Sequence, residues 1–466
     1  MSETKSYFFC GIGGSGMMPL ALIVAGQGHR VSGSDRSLDQ GRISSKFDWL
    51  RAQNIALFAQ DGNGITDPDQ IVIASAAVED SVPDIVAATR LGCKRQSRAE
   101  LLAELFNQAP TGIAIGGTSG KSTVTGMTGW IFHALGHDPT IMNGAVMKNF
   151  VSDEAPFASA LVGKGDAFIS EVDESDGSIA LYRPAIAVLN NIALDHKSMH
   201  ELRQLFGDYI RRANRAVLNA DNDEVMQIAT PGAITYSLTG RSATLAASDI
   251  HERPDGVDFS VNGVAISLQV PGRHNVANAL AALGAAVATG LALDDAARAL
   301  AGFTGLRRRL EHVGTAAGVT VIDDFGHNPD KIAATLDALH SFPGRLLLFF
   351  QPHGYGPLRL MGDALAETFA SRMKPDDRLL LCDPVYFGGT VDRSVGSDHL
   401  ARAIGAQAEH IPERADCGER LIALAQDADR IVVMGARDDT LVQFAQSLVA
   451  GLENRASAFN DKAVAN

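Results

Sequence analysis

Short apolar runs alternate with amphipathic stretches along the whole chain, and this alternation constrains the fold more than any other feature. The runs SYFFCGIG, HRVSGSD and IVIASAAV near the start, and RLLLFFQP, DRLLLCDP and DRIVVMGA near the end, have the length and composition of buried strands. Strand, helix and strand in repeated order form a parallel sheet covered by helices. The sequence therefore predicts an α/β protein.

The chain of 466 residues exceeds what one hydrophobic core normally holds, so two or three domains are expected. Turn formers at residues 107–112 follow the helix-like segment RAELLAELF and precede a new apolar strand, IAIGG. A second boundary is predicted around Gly302 to Leu306, between an alanine-rich stretch and the basic cluster at residues 307–309.

Composition excludes several classes of function. A formal net charge of -14 argues against nucleic-acid binding, which needs a basic surface that displaces counterions from phosphates. Neither a run of about 18 apolar residues nor a signal-peptide pattern is present, so a cytoplasmic protein without a membrane partner is expected. Cys10, Cys93, Cys382 and Cys417 lack metal-site spacing and are predicted to be buried thiols.

A glycine-rich segment at residues 117–122, GTSGKS, lies between the strand IAIGG and a helical pattern. The helical spacing is formed by Val124, Met127, Ile131, Ala134 and Leu135. Glycines let a backbone approach phosphates, Lys121 can reach the terminal phosphates, and Ser122 can help to hold magnesium. Position 115 is isoleucine where the general pattern has glycine, so a shortened phosphate loop is predicted.

Two later strands also end in polar side chains. Residues 168–176, FISEVDESD, place four acidic groups together, and carboxylates repel one another unless they share a cation such as the magnesium bound to ATP. Residues 187–196, AVLNNIALDH, end with Asp195 and His196, a candidate ligand. Because parallel strands end at one edge of a sheet, these segments are expected to converge on one site.

Near the amino terminus, Gly11, Gly13 and Gly16 precede Asp35 in the pattern of a dinucleotide-binding fingerprint. Alone this pattern favours a nicotinamide-dependent dehydrogenase. The same strand, loop and helix bind any diphosphate, however, and the second phosphate loop favours a nucleotide-linked substrate here. The dehydrogenase and a nonenzymatic nucleotide-binding regulator stay as alternatives from other classes.

Together these motifs resemble the Mur ligase family of peptidoglycan synthesis along nearly the whole chain. GIGGSGM, VSGSD and SRAELLAELF are similar to its first domain, GGTSGKST, EVDESD, NNIALDH and PGRHNVANA to its central domain, and RRRLE, DDFGHNPDKIAATL and FFQPHGY to its third. The resemblance implies three α/β domains: a Rossmann-like UDP-sugar-binding domain at 1–107, a central P-loop ATPase domain with a parallel sheet at 108–303, and a Rossmann-like ligase domain at 304–466.

The resemblance also implies a reaction that uses ATP and Mg²⁺. The lactyl carboxylate of UDP-N-acetylmuramate takes the γ-phosphate of ATP, and the amino group of L-alanine or a similar amino acid displaces phosphate from the acyl phosphate. An alternative within the family adds a ready-made tripeptide, L-alanyl-γ-D-glutamyl-meso-diaminopimelate, in peptidoglycan recycling. Either a monomer or a homodimer is expected.

Individual roles follow from the same resemblance. It implies ATP binding by Gly117, Thr118, Ser119, Gly120, Lys121, Ser122, Thr123, Asn191, His274, Asn275, Asn278, Arg309 and Asp324. It implies binding of the UDP substrate by Gly11, Gly13, Gly14, Ser15, Gly16, Met17, Asp35, Ser75 and Arg98. It implies metal binding by Ser122, Glu171 and His196, and amine binding by His327, His353 and Arg359. The catalytic residues would be Lys121, Glu171, His196, Arg309 and His327.

The amine added by the enzyme is left open by two departures from the family pattern. Gly354 follows QPH where alanine-adding members carry arginine, a side chain suited to a carboxylate. Asn328 stands where a second histidine is usual. Arg359 could supply the missing charge, so a rearranged amine pocket is the hypothesis.

Overall fold

Two compact units make up the chain. The computed structural model describes residues 3–75, 78–193, 197–386, 392–436 and 438–464, with side chains up to residue 457. One unit comprises residues 1–252 and 256–306, and the other comprises 253–255 and 307–466. Helices alternate with strands in both units, and most strand pairs are parallel. The predicted α/β class is therefore confirmed.

The first sheet of the larger unit has the parallel order β3-β2-β1-β4-β5. Its strands are β1 (Ser6–Cys10), β2 (Arg30–Ser34), β3 (Ala56–Phe58), β4 (Ile71–Ala74) and β5 (Arg95–Ser97). Its helices are α1 (Met17–Gly26), α2 (Arg36–Asp39), α3 (Ser44–Ala52), α4 (Pro83–Leu91) and α5 (Arg98–Gln108). Helix α5 begins at a capping box, in which Ser97 and Glu100 satisfy each other's backbone N–H groups.

The second sheet of the same unit has the order β15-β14-β13-β12-β11-β10-β6-β9-β7-β8. Its strands are β6 (Thr111–Gly116), β7 (Thr140–Met142), β8 (Ala160–Leu161), β9 (Ala167–Glu171), β10 (Ile186–Leu189), β11 (Arg215–Asn219), β12 (Ile234–Ser237), β13 (Leu245–Arg253), β14 (Gly256–Val261) and β15 (Val264–Leu268). Its helices are α6 (Lys121–Ala134), α7 (Met199–Arg211), α8 (Asp223–Gln227), α9 (Arg273–Ala288) and α10 (Leu293–Leu300). Strands β10, β6 and β9 lie side by side and parallel, so they end at the same edge.

Helix α6 follows the phosphate-loop segment and covers this sheet. Its side chains Val124, Met127 and Ile131 are fully buried, as the helical spacing predicts. The alanine-rich helix α9 packs against α6, because small side chains allow two helices to approach closely. The sheet and both helices therefore hold the segment between β6 and α6 on a rigid base.

The sheet of the smaller unit has the order β16-β17-β21-β18-β19-β20. Its strands are β16 (Glu311–Ala316), β17 (Val319–Asp324), β18 (Leu346–Gln351), β19 (Arg378–Leu381), β20 (Ala408–His410) and β21 (Arg430–Gly435). Its helices are α11 (Pro329–His340), α12 (Tyr355–Arg372), α13 (Ser397–Ile404), α14 (Arg414–Leu424) and α15 (Leu441–Val464). The β16–β17 pair is antiparallel and the others are parallel.

The four cysteines are free and buried, which confirms the sequence prediction. Burial raises the pKa of Cys10 and of Cys417 to about 12, and it also raises the pKa values of Cys93 and Cys382. All four are therefore neutral thiols at physiological pH.

Of the helices in the described ranges, none combines the length and the apolar character that crossing a bilayer requires.

Candidate functional site

The loop between β6 and α6 adopts a conformation that requires glycine. Gly117 has φ 133° and Gly120 has φ 82°, both in the region that side chains disfavour. A Cβ atom on Gly120 would lie 2.6 Å from Asn278 Oδ1 and 2.9 Å from Asn190 Nδ2. Neighbouring side chains therefore pack directly against the loop backbone.

Asn191, just beyond the end of β10, stabilises this loop by hydrogen bonds. Its side-chain oxygen accepts hydrogen bonds from the Thr118 hydroxyl at 2.7 Å and from the Ser119 N–H at 2.9 Å. Its amide nitrogen donates to Ser119 Oγ at 2.9 Å. Asn190 donates to the Ser119 carbonyl at 3.3 Å from the same side. Contact of Asn191 with ATP stays a prediction, whereas its support of the loop is observed.

Replacement of Asn191 by alanine is expected to weaken nucleotide binding about tenfold, because hydrogen bonds that each contribute about 1 kcal/mol would no longer hold the loop. Isothermal titration with an ATP analogue measures the change. Asn149→Ala is the matched control, since Asn149 also bridges backbone groups, the Gly302 carbonyl and the Thr304 N–H, away from the loop. Equal affinities of the two variants would contradict the prediction.

Helix α9 brings the side chain of Asn278, in its second turn, to the same loop. Asn278 donates to Asn275 Oδ1 at 3.0 Å, and Asn275 donates to the Pro271 carbonyl at 2.7 Å. Both asparagines are buried, whereas His274 is exposed. The structure thus brings Asn275 and Asn278 together behind Gly120, and the ATP contacts of these residues stay predictions.

Lys121 and Ser122, the first residues of α6, contact acidic side chains at the end of β9 and just beyond it. Ser122 Oγ donates to Glu171 Oε2 at 2.8 Å. Lys121 Nζ donates to Glu174 Oε2 at 2.8 Å and to the Gly117 carbonyl at 2.8 Å. The loop, the acidic segment and the end of β10 therefore meet at one edge of the sheet.

These contacts border a cavity of about 190 Å³. It is lined by Gly16, Arg98, Leu102, Lys121, Met142, Asn143, Gly144, Ser170, Glu171, Val172, Asp173, Ser178 and Tyr182. Burial pushes the pKa of Asp173 upward, but hydrogen bonds from Ser175 and the charges of Lys121 and Arg98 outweigh it, so the pKa is lowered. The cavity therefore combines the ionised carboxylate of Asp173 with the cations Lys121 and Arg98.

Ser122 and Glu171 fit a magnesium ion. Magnesium prefers oxygen ligands and usually takes few from the protein, because phosphate oxygens and water complete its octahedron. Asn143 fixes this end of α6 by donating to the Ser122 carbonyl at 2.9 Å. Within the described ranges no group of three or more His, Cys, Asp or Glu residues forms a protein-only metal site. His196, the third predicted ligand, lies outside the described residues.

The glycine segment after β1 is held by Asp35. Its carboxylate accepts from the Gly13 N–H at 2.8 Å and caps α2 by accepting from the Ser37 N–H at 2.7 Å. Gly11 has φ 82°, and its N–H donates to the Ser34 carbonyl at 2.8 Å. The structure therefore brings these predicted residues together, with Asp35 acting on the loop itself.

The predicted UDP-substrate residues Gly14 to Met17 and Arg98 lie at the same loop or at the cavity. Gly14, Ser15 and Gly16 lead into α1, in which Met17 is the first residue and is buried. A Cβ atom on Gly16 would lie 3.2 Å from Arg98 Cδ, and Arg98 Nη2 lies 3.9 Å from Asp176 Oδ2. Ser75 directly follows β4.

In the smaller unit, two adjacent arginines contact one aromatic ring. The guanidinium carbons of Arg308 and Arg309 lie 5.1 and 5.0 Å from the centroid of Phe325. Arg308 is buried, and its Nε lies 3.3 Å from Asp323 Oδ1. Burial raises the pKa of Asp323 to about 7. Arg308 therefore anchors the turn that presents Arg309, the predicted phosphate ligand.

Asp324 at the end of β17 accepts several hydrogen bonds from other groups of the protein. Its carboxylate accepts from the Leu310 N–H at 2.9 Å, the Gly326 N–H at 2.9 Å and the Thr335 hydroxyl at 2.8 Å. These bonds link the arginine-bearing turn to the loop before α11. A role at the ribose of ATP stays a prediction.

His327 and His353 lie together, with ring centroids 5.0 Å apart. His327 Nδ1 donates to the Phe325 carbonyl at 2.8 Å, which leaves Nε2 as the acceptor. Burial, aided by Lys331, His353 and Arg309, lowers the pKa of His327 to about 4. The imidazole is therefore neutral at physiological pH, with Nε2 as a hydrogen-bond acceptor.

The stability of the smaller unit is expected to fall as pH decreases from about 6.5 to 4. In this window the unfolded His327, with an ordinary pKa of 6.5, is protonated while the folded one is not. Thermal unfolding of wild type and His327→Gln across this range measures the effect, and the variant should lose less stability. The exposed His251→Gln controls for removal of a histidine; identical profiles for all three proteins would refute the prediction.

The two departures from the family pattern have local structural reasons. Gly354 has φ 139°, which only glycine adopts easily, and it precedes α12. Asn328 caps α11 by accepting from the Lys331 N–H at 3.0 Å, with Pro329 next to it. Arg359 Nη1 lies 3.1 Å from Asp392 Oδ2. Both side chains are exposed, so this ion pair contributes little to stability. Whether Arg359 binds the amine stays a prediction.

Several residues that line the cavity or contact the phosphate-loop segment have no role predicted from the sequence. Glu174 lies within the acidic segment and was not distinguished from its neighbours. Asn143 and Tyr182 follow short elements and carry no motif. Asn190 directly precedes Asn191, so pairing of polar residues after a strand was the signal that could have identified it.

Comparisons with known proteins agree over most of the chain. Three family models match: "Mur ligase family, catalytic domain" at residues 6–109, "Mur ligase middle domain" at 115–286 and "Mur ligase, glutamate ligase domain" at 308–437. The UDP-N-acetylmuramate–L-alanine ligase of Nitrosomonas eutropha is 35% identical over 469 residues, covering 93% of this chain and 95% of that protein.

Solved structures match the fold over nearly its full length. The UDP-N-acetylmuramate-alanine ligase MurC of Thermotoga maritima has a TM-score of 0.78 at 22% identity, covering 97% of this chain and 99% of that one. A murein peptide ligase of Psychrobacter arcticus has a TM-score of 0.70 at 24% identity, with coverage of 97% and 99%. The expected three-domain architecture is confirmed, and the chain belongs to the Mur ligase family.

Proposed function

We propose that this protein is an ATP-dependent ligase that joins the lactyl carboxylate of UDP-N-acetylmuramate to L-alanine through an acyl phosphate. One observation carries the proposal: Lys121 and Glu171 of the central region line the same cavity as Gly16 and Arg98 of the amino-terminal region. A phosphate donor and a nucleotide-linked acid would thus have their sites side by side. The domains are proposed to span 1–107, 108–303 and 304–466.

Phosphoryl transfer needs alignment and charge neutralisation more than covalent help. The backbone of residues 117–120 would bind the phosphates of ATP, and Lys121 would neutralise charge on the β- and γ-phosphates. Ser122 and Glu171 would hold magnesium, which when bound withdraws electron density from the transferred phosphoryl group. Arg98 would attract the diphosphate or carboxylate of the second substrate.

Amide formation would use residues of the smaller unit. The Nε2 atom of neutral His327, whose Nδ1 donates to the Phe325 carbonyl, would accept a hydrogen bond from the attacking amine and orient it. Arg309 would contact phosphate oxygens from its position against Phe325. His353 and Arg359 would border the amine.

The names of the relatives support L-alanine as the amine, because curated relatives at 31–37% identity are named UDP-N-acetylmuramate–L-alanine ligases. The tripeptide-adding alternative is supported by similarity of fold to two ligases of that type. Reliance on ATP and a nucleotide sugar supports action in the cytoplasm.

The experiment is a phosphate-release assay with the purified protein, ATP, Mg²⁺, UDP-N-acetylmuramate and one amine at a time. L-Alanine is expected to stimulate release, and glycine or L-serine to do so less. Stimulation by the tripeptide alone would favour the recycling role. If no amine stimulated release, the ligase proposal would be wrong, and tight NADH binding without UDP-sugar binding would favour a dehydrogenase.

A further inference from the structure

Lys121, whose amino group the proposed function assigns to the phosphates of ATP, forms an ion pair with Glu174. Lys121 Nζ donates to Glu174 Oε2 and to the Gly117 carbonyl, each at 2.8 Å. The side chains of Lys121 and Glu174 are only 19% and 7% exposed. An ammonium group has three N–H donors, so protein atoms engage two of them. The lysine must redistribute its bonds before it can contact two phosphates.

Glu174 loses its ion-pair partner when Lys121 moves to the phosphates. A buried carboxylate is costly without a positive partner. Among the described residues, Lys121 supplies the ion pair of Glu174, and the neighbouring acids Glu171 and Asp173 carry the same sign. Phosphate groups that draw the ammonium away therefore leave Glu174 without its partner and add further negative charge.

Magnesium offers the replacement charge. Ser122 and Glu171 fit this ion. In the chain Ser122 directly follows Lys121, and Glu171 lies three residues before Glu174. An ion arriving with ATP would offset the negative charge of the acidic segment at the moment when Lys121 turns to the phosphates. Metal-free nucleotide brings no such compensation.

We propose that Glu174 competes with the phosphates of ATP for the Lys121 ammonium, and that this competition makes the site discriminate against nucleotide without magnesium. The inference rests on the proposed function, because it takes ATP as the ligand of the loop. Glu174 acts through Lys121 and is therefore a positioning residue.

The test compares wild type with Glu174→Gln, which keeps the shape of the side chain and an oxygen that accepts from Lys121. A nonhydrolysable ATP analogue is titrated by calorimetry, once with EDTA and once with excess Mg²⁺. In EDTA the variant is expected to bind about tenfold more tightly than wild type, because one nearby negative charge is gone. With Mg²⁺ the difference should shrink to about twofold.

Asp176→Asn is the matched control, since it removes a negative charge from the same segment at a residue that lies by Arg98 instead of Lys121. Thermal unfolding verifies that each variant is folded, and Glu174→Ala, measured in the same way, should also bind the metal-free analogue more tightly. The competition is refuted if both Glu174 variants bind that analogue no more tightly than wild type, or if Asp176→Asn gains as much. If wild type binds no nucleotide under either condition, the proposed function fails instead.

Discussion

Replacing Lys121 with alanine is expected to reduce phosphate release by about a thousandfold, the effect of removing a strong charged donor from a developing transition state. The change also leaves the largely buried Glu174 carboxylate without its ion-pair partner, so the melting temperature should fall as well. Turnover under saturating substrates and thermal unfolding are both measured.

A double variant separates the two consequences. Lys121→Ala combined with Glu174→Gln removes the unpaired charge, so it should recover much of the lost thermal stability and none of the turnover. Lys164→Ala removes an exposed lysine elsewhere in the larger unit and should behave as wild type. Activity of Lys121→Ala within tenfold of wild type would contradict its assignment to the phosphates.

Replacing Gly120 with alanine is expected to abolish detectable nucleotide binding. The new Cβ would lie 2.6 Å from Asn278 Oδ1, and that oxygen cannot easily move because Asn278 is buried and bonded to Asn275. The residue would also have to keep φ 82°, which costs about 1 kcal/mol for a side chain. The loop would therefore shift away from the conformation that presents its N–H groups.

Gly136→Ala provides a matched control for the cost of placing a side chain at positive φ. Gly136 has φ 80°, and a Cβ atom there would meet nothing within 4 Å. This variant should lose a little stability and keep wild-type nucleotide affinity, as titration with an ATP analogue would measure. If both glycine variants bound nucleotide equally well, crowding at Gly120 would not matter for the site.

The phosphate loop could be predicted from sequence because its signal is local. Glycines, Lys121 and Ser122 fall within six residues, and the flanking strand and helix have clear periodicities. Convergence of the acidic segment and Asn191 on this loop could also be predicted, because parallel strands end at one edge. These relations depend on chain order and on sheet geometry, which the apolar pattern encodes.

Partners of individual side chains could not be predicted in the same way. Glu174 and Glu171 are three residues apart in one acidic segment, yet the first pairs with Lys121 and the second with Ser122. Asp324 and Asp35 were expected to face ligands, and each instead accepts backbone N–H groups: Asp324 from Leu310 and Gly326, and Asp35 from Gly13. Such choices depend on rotamers and on distances of a few tenths of an ångström, which no periodicity records.

The buried cysteines make this enzyme suitable for labelling without prior mutagenesis of its native thiols. Because Cys10, Cys93, Cys382 and Cys417 are inaccessible and their pKa values are raised, maleimide dyes should react with them slowly. A cysteine introduced at Leu360, whose side chain is 86% exposed, would then be the preferred attachment point for a fluorophore.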